Sequence, residues 1–413
     1  LAGERQYGNS YEVANKNWKS IHNPVTEEMI STGENIPDDI DESVYYNKKT
    51  QESTTRNMRN FHNLYVKTSL ITKVANPDDT LIDYAVGKGG DLSKWRKAKV
   101  GFVLGIDISE DNIENKQDGA CVRYLENKQK YKDMFKAQFL VGNASVNYLT
   151  GTGLVSDTDV NIYNAVIGRG PKDKSKLGEG VYNVYGKGAS GFNISSIQFA
   201  MHYFFENKDT LMGVLRNVSE NTKVGGYFVG TCFDGEKVFN VLEGYGKNET
   251  FAIKDNGNVL VEITKKYDRG EFTPDASSIG YAIEVFEESI NKRFIEYLVN
   301  FKYLTRVIEN YGFVQLTRDE CNSLGFPESI GSFKQLFVQM NQVKQDFGGA
   351  KNMSEQEKQL SFLNNYFIFK KVRDVDTKTV TLDFDDAHSF HDADAAPTVA
   401  EPKKPKKVTK KKK

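Results

Sequence analysis

The chain has 413 residues, 38% hydrophobic and 12% aromatic, which is enough for one large domain with inserts or for two to three average domains. The net charge of −1 hides an asymmetry, because residues 402–413 carry eight lysines and no acid, so the remainder lies near −9. The absence of any run of about eighteen apolar residues argues against a membrane span. Three scattered cysteines indicate a reducing compartment and core thiols: Cys121, Cys232 and Cys321.

Residues 1–57 are polar and contain Pro24, Pro37 and an acidic run at 38–42. This composition predicts the end of an upstream domain followed by a linker. Because the chain begins at Leu1 without an apolar leader, we expect it to be part of a longer polypeptide. Residues 58–75 place apolar side chains at helical spacing and are predicted to form a helix.

Residues 81–92 predict a buried strand, a glycine-rich turn and a helix that opens at Asp91. Glycines in such a turn let a ligand approach the backbone. A second strand over residues 100–106 ends in Asp107, where an acid accepts hydrogen bonds from ribose hydroxyls. The turn lacks the third glycine of a dinucleotide site. A nucleoside cofactor without a pyrophosphate, such as S-adenosylmethionine (SAM), is therefore favoured.

The remaining pattern alternates strands and helices, which predicts a doubly wound sheet. We expect a helix over 109–130 with Ser109 as its N-cap, and strands at 138–141, 192–199, 225–232, 312–316 and 365–372. Further helices are predicted over 202–219 and from Asp234 to residue 242, a small strand insertion over 248–292, and a helix or strand-helix over 294–311. Residues 151–191 have weak periodicity and read as a functional loop or disordered insert. The chain beyond Arg373 turns acidic and then lysine-rich, which predicts disorder.

Several of these segments together resemble the mRNA cap guanine-N7 methyltransferases, and more narrowly the methyltransferase domain of multifunctional capping enzymes of large DNA viruses. The similarity covers about residues 60–371. Its motifs lie at residues 66–67, 83–95, 105–109, 198–206, 225–231 and 295–298. Residues 18–30 also resemble the tail of a guanylyltransferase domain.

The resemblance implies a Rossmann-like class I SAM-dependent methyltransferase with a seven-stranded, mostly parallel sheet and insertions. It divides the chain into an upstream part (1–57), a methyltransferase domain (58–373) and a disordered tail (374–413). The implied partners are the capped 5′ end of an RNA (GpppN) and upstream capping domains of the same parent chain, with a stimulatory subunit left open. Localisation is expected to be cytoplasmic, in a viral factory or virion, if the protein is viral, and otherwise nuclear.

The resemblance also implies the site residues. The SAM side comprises Lys67, Ala85, Gly87, Asp107, Asn143, Gln198 and Tyr203. The cap side comprises Asn63, Lys88, Lys94, Arg123, His202, Glu296 and Tyr366. Ala85 and Asn143 depart from the family, which usually has glycine and aspartate at these positions.

Guanine N7 carries a lone pair and no proton, so methyl transfer to it requires positioning and electrostatics rather than a general base. No catalytic residue in the strict sense is predicted, and Glu296, His202 and Tyr203 are expected nearest the chemistry. No metal is predicted, although residues 385–392 contain metal-capable side chains.

Two other functions stay open: methylation of a ribose 2′-oxygen, which normally needs a lysine flanked by carboxylates, and a non-catalytic cap- or RNA-binding module. Some residues also have structural interpretations. Lys88 and Lys94 fit a solvated helix start, His202 a core edge, and Tyr366 ordinary core packing.

Overall fold

The computed structural model describes residues 55–288 and 292–381. Its strands are β1 (Thr80–Asp83), β2 (Phe102–Asp107), β3 (Lys136–Val141), β4 (Phe192–Gln198), β5 (Thr222–Phe233), β6 (Thr250–Asp255), β7 (Asn258–Lys265), β8 (Ala282–Glu287), β9 (Lys292–Tyr297), β10 (Phe313–Gln315), β11 (Ile330–Ser332) and β12 (Asn364–Lys371). Its first helix, α1, is continuous through three segments, Arg56–Asn60, Phe61–Lys67 and Thr68–Val74. The later helices are α2 (Leu92–Lys97), α3 (Glu110–Glu114), α4 (Ala120–Lys130), α5 (Asp157–Val166), α6 (Lys174–Tyr182), α7 (Lys208–Asn221), α8 (Gly235–Val241), α9 (Phe301–Asn310), α10 (Arg318–Leu324), α11 (Phe333–Asn341) and α12 (Glu355–Ser361).

The main sheet has the order β10-β12-β5-β4-β1-β2-β3, and the short β11 pairs with β12 as an eighth strand. Strands β1 to β5 are parallel to their neighbours, whereas β12 is antiparallel to both β5 and β10. This arrangement confirms the predicted Rossmann-like fold, and among the described residues β11 is the only strand of the main sheet beyond the seven expected. The strand order reverses beside β1, so a ligand crevice is expected at the carboxyl ends of β1, β2 and β4.

Both faces of the main sheet are covered by helices. The third segment of α1 packs against α2 and β5, and α7 packs against β4 and β5. Strands β1 and β2 are buried at every position, as strands covered on both faces must be. This double cover rigidly supports the strand ends that carry the crevice.

A second, antiparallel sheet has the order β6-β7-β8-β9. It confirms the predicted strand insertion, and the strand-helix alternative for residues 294–311 is realised as β9 followed by α9. One face of this sheet is buried through Val261, Ile263, Ile283 and Val285, and the opposite face carries charged side chains. This sheet is therefore one-sided and lies against the body of the domain.

Two predicted helices are each broken in two. Residues 109–130 form α3, capped by Ser109 as expected, and then α4. Between them the chain turns sharply, and a Cβ on Gly119 would lie 2.7 Å from the backbone nitrogen of Asn115. Residues 202–219 form a 3₁₀ turn, Met201–Phe205, and then α7, because the Asn207 side chain caps a new helix start.

The prediction of an irregular segment over 151–191 is wrong. Residues 157–166 and 174–182 are the helices α5 and α6. Ser156 and Asp159 form a capping box, and Asp159 also accepts a hydrogen bond from the Val141 N–H at 3.2 Å. Weak apolar periodicity concealed these helices, although the Ser-x-x-Asp signal was present.

Gly213, inside α7, is predicted to be essential for stability. A Cβ there would lie 1.8 Å from the carbonyl oxygen of Ser145. Glycine-to-alanine changes inside helices usually stabilise, yet we expect Gly213→Ala to lower the free energy of unfolding by about 3 kcal/mol through backbone displacement. Thermal or urea unfolding measures the change.

The matched control is Gly180→Ala in α6, where the nearest atom to a new Cβ, Gln138 Nε2, is 3.8 Å away. This variant is expected to be unchanged or stabilised by up to about 1 kcal/mol. Equal stabilities of the two variants would contradict the packing argument.

Residues 374–381 are described and pack on the body through a 2.5 Å hydrogen bond from Thr377 Oγ1 to Glu220. The upstream segment 1–54, the tail 382–413 and the metal-capable stretch 385–392 lie outside the described residues. Within the described ranges, no helix is long and apolar enough to cross a membrane.

Candidate active site

The carboxyl ends of β1, β2 and β4 meet a glycine-rich turn at residues 84–91. Gly87 and Gly89 have φ angles of +53° and +80°, in the left-handed region that other residues rarely adopt. The Ala85 N–H donates to Asp83 at 3.2 Å, and the Gly87 N–H donates to Asp107 at 2.8 Å. The turn is therefore fixed to the ends of both adjacent strands.

Asp91 binds two lysines. Its Oδ1 lies 2.7 Å from Lys67 Nζ and 3.1 Å from Lys94 Nζ, and all three side chains are almost enclosed. Burial acts to raise the pKa of Asp91, but the two lysines outweigh it and lower that pKa. Lys94 also donates to Gly90 O at 3.0 Å. The structure thus places Lys94 with Lys67 under the turn, and not with Lys88 and Arg123 as the cap-side prediction required.

Asp83 begins a chain of hydrogen bonds across three strand ends. Ser196 Oγ donates to Asp83 at 2.9 Å, Gln198 donates to Ser196 at 3.3 Å, and Thr231 donates to Gln198 at 3.2 Å. Burial and the nearby charge of Asp91 raise the pKa of Asp83 to about 7. Gln198 is therefore held in place at the predicted site, whereas Asp83 and Asp91 were not among the predicted ligands.

Asp107 ends β2 as predicted and accepts three hydrogen bonds. Besides Gly87, the donors are the Ser109 N–H and Asn112 Nδ2, both at 3.0 Å. Asn143 lies beside it after β3, since the Gly142 N–H donates to Asp107 O. Asn143 Oδ1 accepts from both the N–H (2.9 Å) and the Oγ (2.6 Å) of Ser145. Because a backbone N–H can only donate, the Asn143 oxygen is fixed toward Ser145, and its Nδ2 group is the part left to meet a base.

Lys88 and Arg123 lie together on the outer side of the turn. Lys88 Nζ is 2.8 Å from Asp118 and 3.3 Å from Asp111. Arg123 donates to Lys88 O at 3.0 Å. Partial burial acts to lower the pKa of Lys88, but hydrogen bonds and charge from Asp118 and Asp111 outweigh it and raise that pKa. Lys88 is thus a firmly protonated cation.

His202 and Glu296 face each other, with Nδ1 and Oε2 3.7 Å apart. Both are buried, and within the described ranges neither ring nitrogen of His202 nor Oε2 of Glu296 has a hydrogen-bond partner. Burial lowers the pKa of His202 to about 3 and, with the charge of Glu287, raises the pKa of Glu296 to about 8. Buried polar atoms without partners are costly, so this pair is suited to a polar ligand.

Three further predicted residues have different surroundings. The Tyr203 ring lies edge-on to His202 with centroids 4.3 Å apart and is 42% exposed, at the mouth of the pair. Asn63 is half-buried on the second segment of α1, four residues before Lys67. Tyr366 is fully buried against Phe326, and its hydroxyl donates to Glu328 O at 2.9 Å. These contacts favour core packing for Tyr366, and its role at the cap stays a prediction.

Two backbone features near the site were not predicted from the sequence. The segment Phe61–Lys67, which carries Asn63 and Lys67, is a π-helix, a form often found at functional sites. Phe199, directly after Gln198, has a φ of +54°, and its N–H donates to Thr231 O at 2.8 Å. Such strain in a non-glycine residue persists only where the surroundings enforce it.

The site therefore has two compartments. One contains the turn, a lysine-carboxylate cluster and Asp107, and fits an amino acid joined to a nucleoside. The other contains the unpartnered His202–Glu296 pair and fits a flat ligand with adjacent hydrogen-bond donors.

Comparison with known proteins identifies the family of the chain. Residues 39–372 match the family model described as the mRNA (guanine-N(7))-methyltransferase domain. The chain is 25% identical over 409 residues to a probable mRNA-capping enzyme of Acanthamoeba polyphaga mimivirus, covering 89% of this chain and 33% of that protein. It thus spans about a third of that relative.

Two fungal proteins named mRNA cap guanine-N(7) methyltransferase are also similar. The one from Eremothecium gossypii is 25% identical over 386 residues, which is 88% of this chain and 80% of that protein. The one from Saccharomyces cerevisiae is 26% identical over 322 residues, 76% of this chain and 64% of that protein. The match over 39–372 spans most of the chain and confirms the resemblance: the chain belongs to the mRNA (guanine-N(7))-methyltransferase domain family.

Proposed function

We propose that this chain transfers the methyl group of SAM to N7 of the guanine cap of an mRNA. The observation that carries the proposal is the buried His202–Glu296 pair, whose unpartnered polar atoms lie beside a strand-turn-helix nucleoside site. Family membership and the names of the relatives support the same reaction.

On the cofactor side, the residues fit SAM. Lys67 offers a cation to a carboxylate, and its partner Asp91 keeps it in place. Gly87 has a positive φ and no side chain, so the turn is open where the methionine portion would approach. Asp107 offers a carboxylate to ribose hydroxyls, and Asn143 offers its amide hydrogens to the adenine. Bound SAM supplies an electrophilic methyl group on a sulfonium centre.

On the cap side, guanine presents N1–H and N2–H donors next to each other, and the Glu296 carboxylate can accept both. Methylation at N7 makes the purine cationic, so these hydrogen bonds strengthen as the reaction proceeds. His202, kept neutral by burial, adds a hydrogen-bonding group without placing a positive charge beside the guanine.

The raised pKa of Lys88 argues against the 2′-oxygen alternative. Lys88 is indeed flanked by two carboxylates, Asp111 and Asp118, as a base for that reaction would be. However, a lysine that removes a proton near neutral pH needs a lowered pKa, and the pKa of Lys88 is raised. Lys88 and Arg123 instead fit the triphosphate of the cap as charged hydrogen-bond donors.

The rate of methyl transfer is expected to depend on pH through Glu296. Since burial raises the pKa of this carboxyl to about 8, the free enzyme holds it neutral below that pH. We expect kcat/KM to rise from pH 6 toward pH 9 in the wild type and to be nearly flat in Glu296→Gln. A steep rise that persists in Glu296→Gln would assign the pH dependence to another group.

The reaction is tested with labelled SAM and two short RNAs, one ending in GpppA and one in m7GpppA, followed by nuclease digestion. We expect label in 7-methylguanosine from GpppA and none from m7GpppA. Label on the ribose of m7GpppA would instead establish a 2′-O enzyme. A chain that does not bind SAM in calorimetry would be an RNA-binding module.

We further infer that the chain works beside other capping domains, because the mimivirus relative is a capping enzyme about three times as long as the matched region. Upstream capping domains in the same parent chain belong to this proposal, and a stimulatory subunit stays open. So does a location in a cytoplasmic viral factory or virion, or in the nucleus if the protein is cellular. Copurification of the full-length parent chain would test the first two points.

A further inference from the structure

Strand β9 carries Glu296 near its carboxyl end and is an edge strand of the second sheet, since the described part of that sheet ends there. Alternate residues of a strand point to the same face, so Lys292, Phe294 and Glu296 share one face. Their cross-strand partners on β8 are Glu287, Val285 and Ile283, of which the last two are buried. This inward face is therefore the one turned toward the body of the domain.

Exposure decreases steadily along that face. Lys292 is exposed, the Phe294 side chain is 37% exposed, and Glu296 is 8% exposed beside His202. Phe294 is thus a partly exposed aromatic side chain two positions from the buried Glu296, and its ring is available to a ligand. The strand thus leads from solvent into the guanine compartment.

The cation at the outer end of this path lies close to the phosphate-binding candidates. Lys292 adds to the positive charge that Lys88 places around Asp111, helping to lower the pKa of that carboxyl after hydrogen bonds from Asn115 and Lys88. Asp111 also lies 3.3 Å from Lys88. Lys292 and Lys88 therefore both contribute positive charge around Asp111, one from β9 and one from the glycine-rich turn.

The spacing suits a capped nucleotide. Lys292 lies four positions before Glu296, which is about 13 Å along an extended strand. We propose that the inward face of β9 binds the triphosphate bridge and the first transcribed nucleotide, with Lys292 opposite a phosphate and with Phe294 against the base, which the flexible bridge folds back toward the guanine. An ammonium group suits phosphate oxygens, and an aromatic face accepts any base without sequence preference. This inference rests on the proposed function and adds substrate residues to it.

The outer face of the same strand provides the control. Arg293 there is engaged by Glu262 and Glu284 and lies over the Phe286 ring, whereas Ile295 is 44% exposed. Ile295→Ala removes a similar exposed apolar side chain from β9 without touching the inward face. It separates an effect on the path from a general weakening of the strand.

The experiment measures Kd by calorimetry, and KM and kcat by methyl transfer, with GTP and GpppA as ligands. We expect Phe294→Ala to weaken GpppA binding roughly tenfold and GTP binding not at all, because GTP has no second base. Lys292→Ala should weaken both ligands roughly tenfold, with rescue by Lys292→Arg and a shallower dependence on salt. The KM for SAM and kcat should stay within about twofold of wild type, since neither residue touches the methyl donor.

Two results would overturn the inference: Ile295→Ala weakening GpppA as much as Phe294→Ala does, or Lys292→Ala leaving the Kd of both ligands unchanged. A wild-type chain that binds GpppA but does not methylate it would refute the proposed function instead, and the Kd values would still decide the role of β9. A wild-type chain that binds SAM but not GpppA would overturn both.

Discussion

Glu296→Gln is expected to abolish most methyl transfer while making the protein more stable. Removing a preorganised charge that acts on the transition state typically costs about 100-fold in kcat. The same carboxyl is destabilising before substrate binds, because burial raises its folded pKa to about 8, far above the unfolded value near 4.5. Below pH 4.5 the carboxyl is protonated in both the folded and the unfolded state and costs no stability. As the pH rises from 4.5 to 8, the folded protein progressively loses stability, because the unfolded state can ionise this group and the folded state cannot. At pH 7 the neutral amide should therefore gain roughly 3 kcal/mol.

Thermal unfolding at pH 5 and pH 7 measures the gain, which should be small at pH 5 and larger at pH 7. Glu284→Gln is the matched control, since Glu284 lies on the opposite face of the same sheet and is more exposed. It should keep activity near the wild-type level. If Glu296→Gln is both active and no more stable, the carboxyl is neither buried nor used as described.

Asp91→Ala should remove SAM binding and destabilise the fold. The variant leaves Lys67 and Lys94 with their ammonium groups almost enclosed and without the carboxylate they share. Breaking a buried ion pair by deleting one partner typically costs about 3–5 kcal/mol. We expect SAM affinity, measured by calorimetry on the fraction that stays folded, to fall at least about 100-fold, because Lys67 is no longer held in place.

Asp118→Ala tests whether any lysine-carboxylate contact at this turn would behave similarly. The Asp118 side chain is 48% exposed, so its contact with Lys88 should contribute about 1 kcal/mol or less to stability. SAM affinity should be unchanged. Equal losses of SAM affinity in the two variants would show that Asp91 has no special role.

The fold was largely predictable, because the strands near the site are buried runs separated by turn signals. β1, β2 and their connection follow from the glycine-rich turn and from Asp107 alone. Helices α5 and α6 were missed since their apolar faces are weak, and their caps, such as Ser156, are local signals within a polar sequence.

The site was less predictable, because it depends on long-range contacts. From its sequence position at the start of α2, Lys94 was predicted to lie near Lys88. In the structure its side chain instead contacts Asp91, which also binds Lys67 from α1. This contact depends on how α1 packs against the turn. Tyr366 lies in an aromatic strand. The sequence of such a strand is the same whether its tyrosine packs in the core or stacks on a ligand. His202 and Glu296 are 94 positions apart, and only the resemblance linked them.

The His202–Glu296 pocket combines residues from two different parts of the fold. His202 follows a strand of the central sheet, whereas Glu296 belongs to the four-stranded insertion, which enters the chain after α8 and returns at α9. The groups assigned to the methyl donor, by contrast, all lie on α1, on strands of the central sheet or on the turns that follow those strands. A change confined to the inserted sheet would therefore alter the Glu296 side of the pocket and leave the groups assigned to the methyl donor intact.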